Sequence, residues 1–249
     1  PGDVILVENP TFLGVIQAMR TYRANLIEVP TDEKGVIVEA AEEAIKAHHP
    51  KLMYIIPTFQ NPTGITLAAE RRAPLAKLAA KYGVLLVEDD PYRDLRYSGE
   101  PLPSIASYDE EGWVAYLTSF SKLIAPGLRV GAAIANETLI RKMTICKQSV
   151  DVHSPMLTQA IVDGYLREGL LWPHIARILG GYREQLNAML AGFNAFPAGV
   201  THTKPEGGLF VWAALPEGVD ALTMLKAAVA RGVAYVPGTH FHINGGHIN

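Results

Sequence analysis

Short apolar runs alternate with helical patterns in the first half of the chain, and this alternation limits the folds that it can adopt. Six runs rich in aliphatic and β-branched residues predict strands at 4–7, 25–29, 51–57, 84–89, 113–119 and 129–135. Helical patterns lie between them at 13–20, 38–48 and 67–82. Several of the runs are apolar on both faces, as in a parallel sheet that helices cover. The pattern therefore predicts an α/β fold with a mainly parallel sheet between helices.

The second half of the chain has a different pattern. Longer helical stretches are predicted at 137–148, 154–168 and 173–195, followed by a strand at 208–215, a helix near 220–231 and a short strand at 233–237. We expect a large domain over 1–170 and a smaller α+β domain over 171–249. Pro74 falls inside the third helical pattern, so that helix is expected to kink or to begin later.

Composition excludes several classes of function. The formal net charge is −3 and no basic cluster stands out, which argues against nucleic acid as a partner. The single cysteine, Cys146, excludes a disulfide framework within the chain. No stretch resembles a signal peptide or a membrane span, so we expect a cytoplasmic protein with no membrane partner.

Four polar motifs follow or precede predicted strands. They are PTFQNPTG (57–64), EDDPY (88–92), TSFSK (118–122) and PGLR (126–129). Ligands of open α/β sheets gather at the carboxyl ends of the strands. Each motif alone has an ordinary explanation: a turn for NPTG, a metal site, helix cap or solvated corner for the acidic pair, and a surface charge for Lys122.

Taken together, the motifs contain the groups that pyridoxal phosphate chemistry needs. That chemistry requires a lysine amine for a Schiff base, a carboxylate beside the pyridine nitrogen, and donors for the phenolic oxygen and the phosphate. A lysine flanked by serines and an arginine suits an aldehyde tethered to a phosphate dianion. We expect Pro126 and Gly127 to stiffen the turn that directs Arg129 to the same anion.

The ordered set NPTG, EDDPY, SFSKLIAPGLRVG, PEGGLFVW and VPGTHF resembles the fold type I pyridoxal-phosphate-dependent aminotransferases of class I/II. The likeness is strongest to the branch that contains α-aminoadipate and kynurenine aminotransferases, and it extends over essentially the whole chain. The resemblance implies the fold of these transferases, with residues 1–170 binding pyridoxal 5′-phosphate. It also implies a homodimer that moves an amino group between an L-amino acid and a 2-oxo acid by a ping-pong mechanism.

The resemblance also implies roles for individual residues. Lys122 would hold the cofactor and, once displaced by the substrate amine, would move the α-proton. Asp89 would pair with the pyridine nitrogen, and Tyr92 and Asn61 would hydrogen-bond the phenolic oxygen.

The remaining cofactor contacts follow in the same way. Ser119, Ser121 and Arg129 would hold the phosphate. Phe12 takes the place of the aromatic residue that lies against the cofactor ring, although burial in the core explains it equally well. The family further implies cis peptide bonds at Asn9-Pro10 and Asn61-Pro62.

The chain departs from the family at its two ends. Members carry an additional segment before the point where this chain begins, with a Gly-Ser-Gln turn that caps the phosphate. They also continue past GG-x-x-N to an arginine that binds the substrate carboxylate, a position beyond Asn249. We therefore expect this chain to be a portion of a longer aminotransferase, and the sequence does not name the amino donor.

Other functions fit parts of the pattern. An aminotransferase-like effector domain of a transcription regulator, or a related pyridoxal-phosphate-dependent lyase, would share the same residues. VLLVEDD could end a Walker-B-like strand of a nucleotide- or metal-binding domain, but the sequence has no phosphate loop. His240, His242 and His247 have spacing that metal ligands can use, yet the family pattern explains VPGTHF as an ordinary loop, so we expect no metal site.

Overall fold

A seven-stranded sheet forms the centre of the protein. The computed structural model describes residues 1–246 and residue 249. The strand order is β3-β2-β1-β4-β5-β6-β7. The strands are β1 (Val4–Asn9), β2 (Asn25–Asp32), β3 (Gly35–Val36), β4 (Leu52–Ile55), β5 (Leu85–Asp89), β6 (Val114–Ser119) and β7 (Gly131–Ile134). The five strands from β2 to β6 in this order are parallel, and the two edge strands are antiparallel to their neighbours. The predicted α/β fold is therefore confirmed.

Helices cover both faces of the sheet. They are α1 (Leu13–Thr21), α2 (Val38–His48), α3 (Ala69–Tyr82), α4 (Glu137–Val150), α5 (Met156–Arg167), α6 (Leu171–Phe193) and α7 (Ala221–Val229). Because side chains alternate along a strand, Leu6 joins an apolar cluster with α2 and α3, and Val7 joins a second cluster with α1 and α6. Both side chains are fully buried. The two clusters fix the sheet between two helical layers.

A buried arginine anchors the loop after β4. The guanidinium of Arg72, on α3, donates to the carbonyl oxygens of Pro57 at 2.9 Å, Pro103 at 2.8 Å and Leu67 at 3.2 Å. Its side chain is fully buried. A guanidinium can satisfy several backbone acceptors at once because its donors form a planar fork. Arg72 therefore holds together three segments beside the carboxyl edge of the sheet.

The structure contains β3, which the pattern did not predict, and differs from the prediction in three further segments. The third helix begins at Ala69, two residues later than the pattern suggested, and Pro74 still lies inside it. The strand predicted at 208–215 is reduced to β9 (Ala213–Ala214), which pairs with β8 (Thr201–His202). The strand predicted at 233–237 is not a strand, so that prediction was wrong.

The reason for the last two differences lies in the neighbours of these segments. The amide of Gly208 donates to the carbonyl of Leu95 at 2.8 Å, so the start of the predicted strand docks against a loop instead of a strand. Val233 and Val236 are 58% and 55% exposed. An apolar run becomes a strand only where a neighbouring strand supplies its hydrogen-bond partners.

The part of the chain after residue 170 packs against the sheet through α6, and it also forms β8, β9 and α7. Leu171 and Ile175, in the first turns of α6, belong to the same apolar cluster as Val7. The division at residue 170 stays a prediction. Within the described part of the chain, no helix has both the length and the apolarity needed to cross a bilayer.

Candidate active site

The predicted site residues lie at the carboxyl ends of four strands. Phe12 follows β1, Asn61 follows β4, Asp89 ends β5, and Ser119 ends β6. Since β1, β4, β5 and β6 are parallel, their carboxyl ends meet at one edge of the sheet. This edge gathers side chains that are distant in the sequence, as the motif order predicted.

Two cis-proline segments border this edge. The peptide bonds Asn9-Pro10 and Asn61-Pro62 are both cis, as the resemblance implied. The side chain of Gln60 joins the two segments, because its Nε2 donates to the carbonyl of Pro10 at 2.8 Å. Its Oε1 accepts from the backbone amide of Thr63 at 2.9 Å. Gln60 thus fixes the segment before Asn61 against the end of β1.

The side chains of Asn61 and Tyr92 form a hydrogen bond. Both side chains are buried, with 8% and 6% exposed. Burial raises the pKa of the Tyr92 phenol, and a hydrogen bond with the side chain of Asn61 lowers it in part. The ring of Tyr92 also contacts Phe210 edge-to-face, with centroids 5.5 Å apart. The phenol is therefore a fixed, neutral hydrogen-bond donor.

Asp89 is a half-buried carboxylate beside these two residues. Burial raises its pKa, and a hydrogen bond from the Tyr54 hydroxyl lowers it. That hydrogen bond joins Tyr54 Oη to Asp89 Oδ2 at 2.5 Å. A cationic ring nitrogen near this carboxylate would favour its charged form.

Lys122 lies on the connection between β6 and β7. Ser119 pairs with Gly131 across these strands, so residues 120–130 form one loop at the sheet edge. The Lys122 side chain is exposed, whereas its neighbour Leu123 is buried in the apolar cluster with Tyr92. The anchored leucine holds the loop while the amine stays accessible.

The three predicted phosphate ligands lie on the same loop. The amide of Ser121 donates to Ser119 Oγ at 3.2 Å, which brings the two serines together. Arg129 has a φ of 54°, and its guanidinium donates to the carbonyl of Pro126 at 3.2 Å. Among the described residues no hydrogen bond joins this guanidinium to either serine, and its phosphate contact stays a prediction.

Phe12 packs beside the same cluster. It is half-buried at the start of α1 and contacts the apolar cluster that contains Tyr54, Tyr92 and Leu123. Its position suits either a core residue or a ring that covers a bound ligand.

The acidic stretch EDDPY divides into three environments. Glu88 is fully buried and accepts from the backbone amides of Ile105 and Ala106, both at 2.8 Å, which is a structural role. Asp90 is also buried, 3.8 Å from the guanidinium of Arg93. Burial first and the Glu88 charge second raise the pKa of Asp90 to about 7. Asp89 is the member whose side chain reaches the Tyr54 hydroxyl beside the site.

Two residues of this edge were not singled out by the sequence analysis. Tyr54 donates to Asp89, and Glu8 accepts from the amide of Ile56 at 2.9 Å beneath the two cis-proline segments. A phenol or carboxyl inside an apolar strand needs a buried partner, and that signal was present in KLMYIIP and VILVEN.

The histidines of the last segment have other contacts. His242 Nδ1 lies 2.6 Å from Asn9 Oδ1 and 3.8 Å from Glu28 Oε1. Among residues 1–246 and 249, no three His, Cys, Asp or Glu side chains are grouped to hold a metal ion. His247 lies outside the described residues.

Comparison with known proteins agrees with this geometry. The sequence model of the family "Aminotransferase class I and II" matches residues 1–248. The chain is 47% identical over 247 residues to aromatic-amino-acid aminotransferase 1 of Thermococcus litoralis, covering 97% of this chain and 59% of that protein. It is 39% identical over 249 residues to 2-aminoadipate transaminase of Thermus thermophilus, covering 98% and 62%.

A solved structure gives the same result. The kynurenine aminotransferase of Pyrococcus horikoshii, crystallised with PMP, superposes with a TM-score of 0.96 at 44% identity. The match covers 100% of this chain and 63% of that one. The chain thus spans about three fifths of the length of the curated relatives it matches.

Proposed function

The chain belongs to the family of class I and II aminotransferases, and we propose that the protein transfers the amino group of an L-amino acid to a 2-oxo acid with pyridoxal 5′-phosphate. The observation that carries this proposal is the meeting of an accessible amine, a half-buried carboxylate and a buried phenol–amide pair at one sheet edge. These groups belong to Lys122, Asp89, and Tyr92 with Asn61.

The donor set offers a candidate group for each part of this cofactor. Lys122 offers the amine for covalent attachment, and Asp89 offers a carboxylate to the pyridine nitrogen. Tyr92 and Asn61 offer hydrogen bonds to the phenolic oxygen. Ser119 and Ser121 lie together at 3.2 Å on the lysine loop, which suits a phosphate. Arg129, on the same loop, would complete that phosphate site, and Phe12 would cover the ring.

The cofactor, when bound, supplies an electron-accepting ring that makes the α-proton of an attached amino acid acidic. Asp89 would keep a ring nitrogen beside it protonated, because a carboxylate favours the charged form of a neighbouring basic nitrogen. Tyr92 keeps its own proton, since burial raises its pKa. It therefore serves as a hydrogen-bond donor and not as a base.

Lys122 has two tasks in this proposal. Its Nζ would attach the cofactor covalently and, once freed by the substrate amine, would take up and release the α-proton of the substrate. The exposed side chain can move between these positions because Leu123 and not Lys122 anchors the loop.

The substrate class follows from the relatives. Those described above are named for aromatic amino acids, 2-aminoadipate and kynurenine. We propose that this protein acts on amino acids of the same kind, with aromatic or long acidic side chains. The alternatives, a regulator's effector domain or a lyase, are not favoured, because relatives at 39–47% identity are named as aminotransferases.

We also propose that the protein is a homodimer in the cytoplasm. Leu157 and Ile161, one helical turn apart on α5, are 72% and 47% exposed, and Met156 beside them is 68% exposed. Apolar side chains grouped in this way are typical of a contact surface. The one cysteine, Cys146, is a free thiol, which suits a reducing compartment.

Replacement of the lysine tests the proposal. Lys122→Ala should abolish borohydride-stable attachment of pyridoxal phosphate, measured by mass spectrometry, and should leave the far-UV circular dichroism unchanged. Lys46→Ala, an exposed lysine on α2, is the control and should label like the wild type. If Lys122→Ala retains the labelled adduct at the wild-type level, Lys122 is not the attachment point.

A further inference from the structure

Tyr54 contacts Asp89 because of the register between two parallel strands. In β4 and β5, Tyr54 pairs with Val87. Side chains two residues apart on a strand share a face, so Asp89 lies on the same face as Val87 and Tyr54, one step nearer the carboxyl edge. A phenol is long enough to span this diagonal. The result is the 2.5 Å hydrogen bond from Tyr54 Oη to Asp89 Oδ2.

The two oxygens of Asp89 are in different situations. Oδ2 accepts the Tyr54 hydroxyl, and among the described residues no other side chain or amide donates to this carboxylate. Oδ1 therefore has its acceptor capacity available. Tyr54 is 5% exposed and packs with Tyr92 and Phe59, so its hydroxyl has a fixed position.

We propose that Tyr54 is a positioning residue: its hydroxyl holds Asp89 Oδ2 so that Oδ1 faces the pyridine nitrogen of the bound cofactor. This inference rests on the proposed function. A carboxylate on a single-bonded side chain can rotate, and a ligand that binds it must pay for fixing that rotation. The hydrogen bond from a buried phenol fixes it beforehand, which strengthens binding.

The surroundings of the Tyr54 hydroxyl keep it protonated, so it always acts as a hydrogen-bond donor. Burial first, and then the charge of Asp89, hold the pKa of Tyr54 well above its usual value, with Glu8 and Tyr92 contributing in the same direction. The phenol therefore stays protonated and donates throughout the working pH range. The same bond lowers the pKa of Asp89, against burial, which raises it. Tyr54 thus helps to keep Asp89 ionised.

The test is the variant Tyr54→Phe, with Tyr82→Phe as its matched control. Tyr82 also donates to a carboxylate, Glu42 Oε1 at 2.6 Å, but between α3 and α2. We expect Tyr54→Phe to weaken the equilibrium binding of pyridoxal phosphate about tenfold or more, the usual effect of losing a hydrogen bond to a charged group. Tyr82→Phe should bind like the wild type. The acid limb of the binding curve should also move to higher pH, because Asp89 loses the donor that lowers its pKa.

A double variant separates positioning from general packing. In an Asp89→Asn background, Tyr54→Phe should change cofactor binding less than twofold, because the partner of the hydroxyl is already altered. Equal binding by Tyr54→Phe and Tyr82→Phe, or an undiminished effect in the Asp89→Asn background, would overturn the inference alone. A wild-type protein that does not bind pyridoxal phosphate would overturn the proposed function and this inference together.

Discussion

Glu8 contributes to the pH dependence of this protein's stability, and one substitution should remove that contribution. The side chain lies at the end of β1 and is 3% exposed. Its Oε2 accepts from the amide of Ile56 at 2.9 Å and from Gln60 Nε2 at 3.5 Å, and no cation contributes to its titration. Burial raises the pKa of Glu8 from 4.5 to about 8. The folded protein therefore holds this proton at neutral pH.

The sign and size of the effect follow from this shift. The folded state binds this proton more tightly than the unfolded state, so the contribution of Glu8 to the free energy of unfolding falls as the pH rises from 4.5 to about 8. Each pH unit in that interval corresponds to about 1.4 kcal/mol, so the total is at most about 5 kcal/mol. Relaxation and water penetration around an ionised Glu8 reduce this value, and we expect at least about 2 kcal/mol.

The substitution Glu8→Gln removes the titration and keeps an acceptor for the Ile56 amide. We expect the variant to be no more stable than the wild type at pH 5, because its added amide hydrogens need partners. At pH 9 it should be the more stable of the two. Urea unfolding of both proteins without cofactor, at several pH values from 5 to 9, measures the difference directly.

A second carboxylate provides the control. Lys81 first, and then Tyr82 and Lys46, hold the pKa of the partly exposed Glu42 at about 2. The difference between wild type and Glu42→Gln should therefore stay constant from pH 5 to 9. If the Glu8→Gln difference is equally constant, Glu8 is ionised in the folded protein and the reasoning fails.

Two further predictions concern packing and assembly. A Cβ at position 207 would lie 2.3 Å from Phe59 Cζ, so Gly207→Ala should cost about 3 kcal/mol in urea unfolding. Gly192→Ala, in open space on α6, should instead gain about 0.5–1 kcal/mol, and equal effects would contradict this account. Leu157→Asp should shift the protein from dimer to monomer in light scattering, whereas Leu222→Asp, an exposed leucine on α7, should not. A dimer that survives Leu157→Asp would place the contact elsewhere.

The sheet could be predicted from the sequence because its strands carry their own signal. Six apolar runs sufficed to place the main strands, and their parallel arrangement explains why motifs far apart in sequence meet at one edge. The apolar composition of 233–237 was not enough to decide whether this segment forms a strand. Val233 and Val236 have the composition of a strand, but a strand also needs a neighbour, and composition does not report one.

The candidate site was predictable only in part for a similar reason. The motifs placed Lys122 and Asp89 at the same edge. The bond between Asp89 and Tyr54 depends on which residue of β4 pairs with Val87, and register is not a property of either strand alone. Glu8 directly follows the apolar run at 4–7, but its hydrogen-bond partners, the Ile56 amide and Gln60, lie after another strand.

The contact between Phe59 and the two glycines at 207 and 208 has a consequence for how the protein is made. Phe59 is fully buried, and a Cβ at either glycine would approach its side chain within 2.4 Å, so this segment closes tightly over the start of the Asn61 loop. The segment is synthesised about 150 residues after Phe59, which takes roughly 7 to 30 s on the ribosome.

During that interval the loop that carries Asn61 can pack on the edge of the sheet, but the segment at residues 207 and 208 that covers Phe59 has not yet been synthesised. The strands β1 to β6 are already made at this time, whereas the cover over Phe59 must wait for Gly207 and Gly208. A ribosome that stalls before residue 207 would therefore leave Phe59 uncovered and available to chaperones.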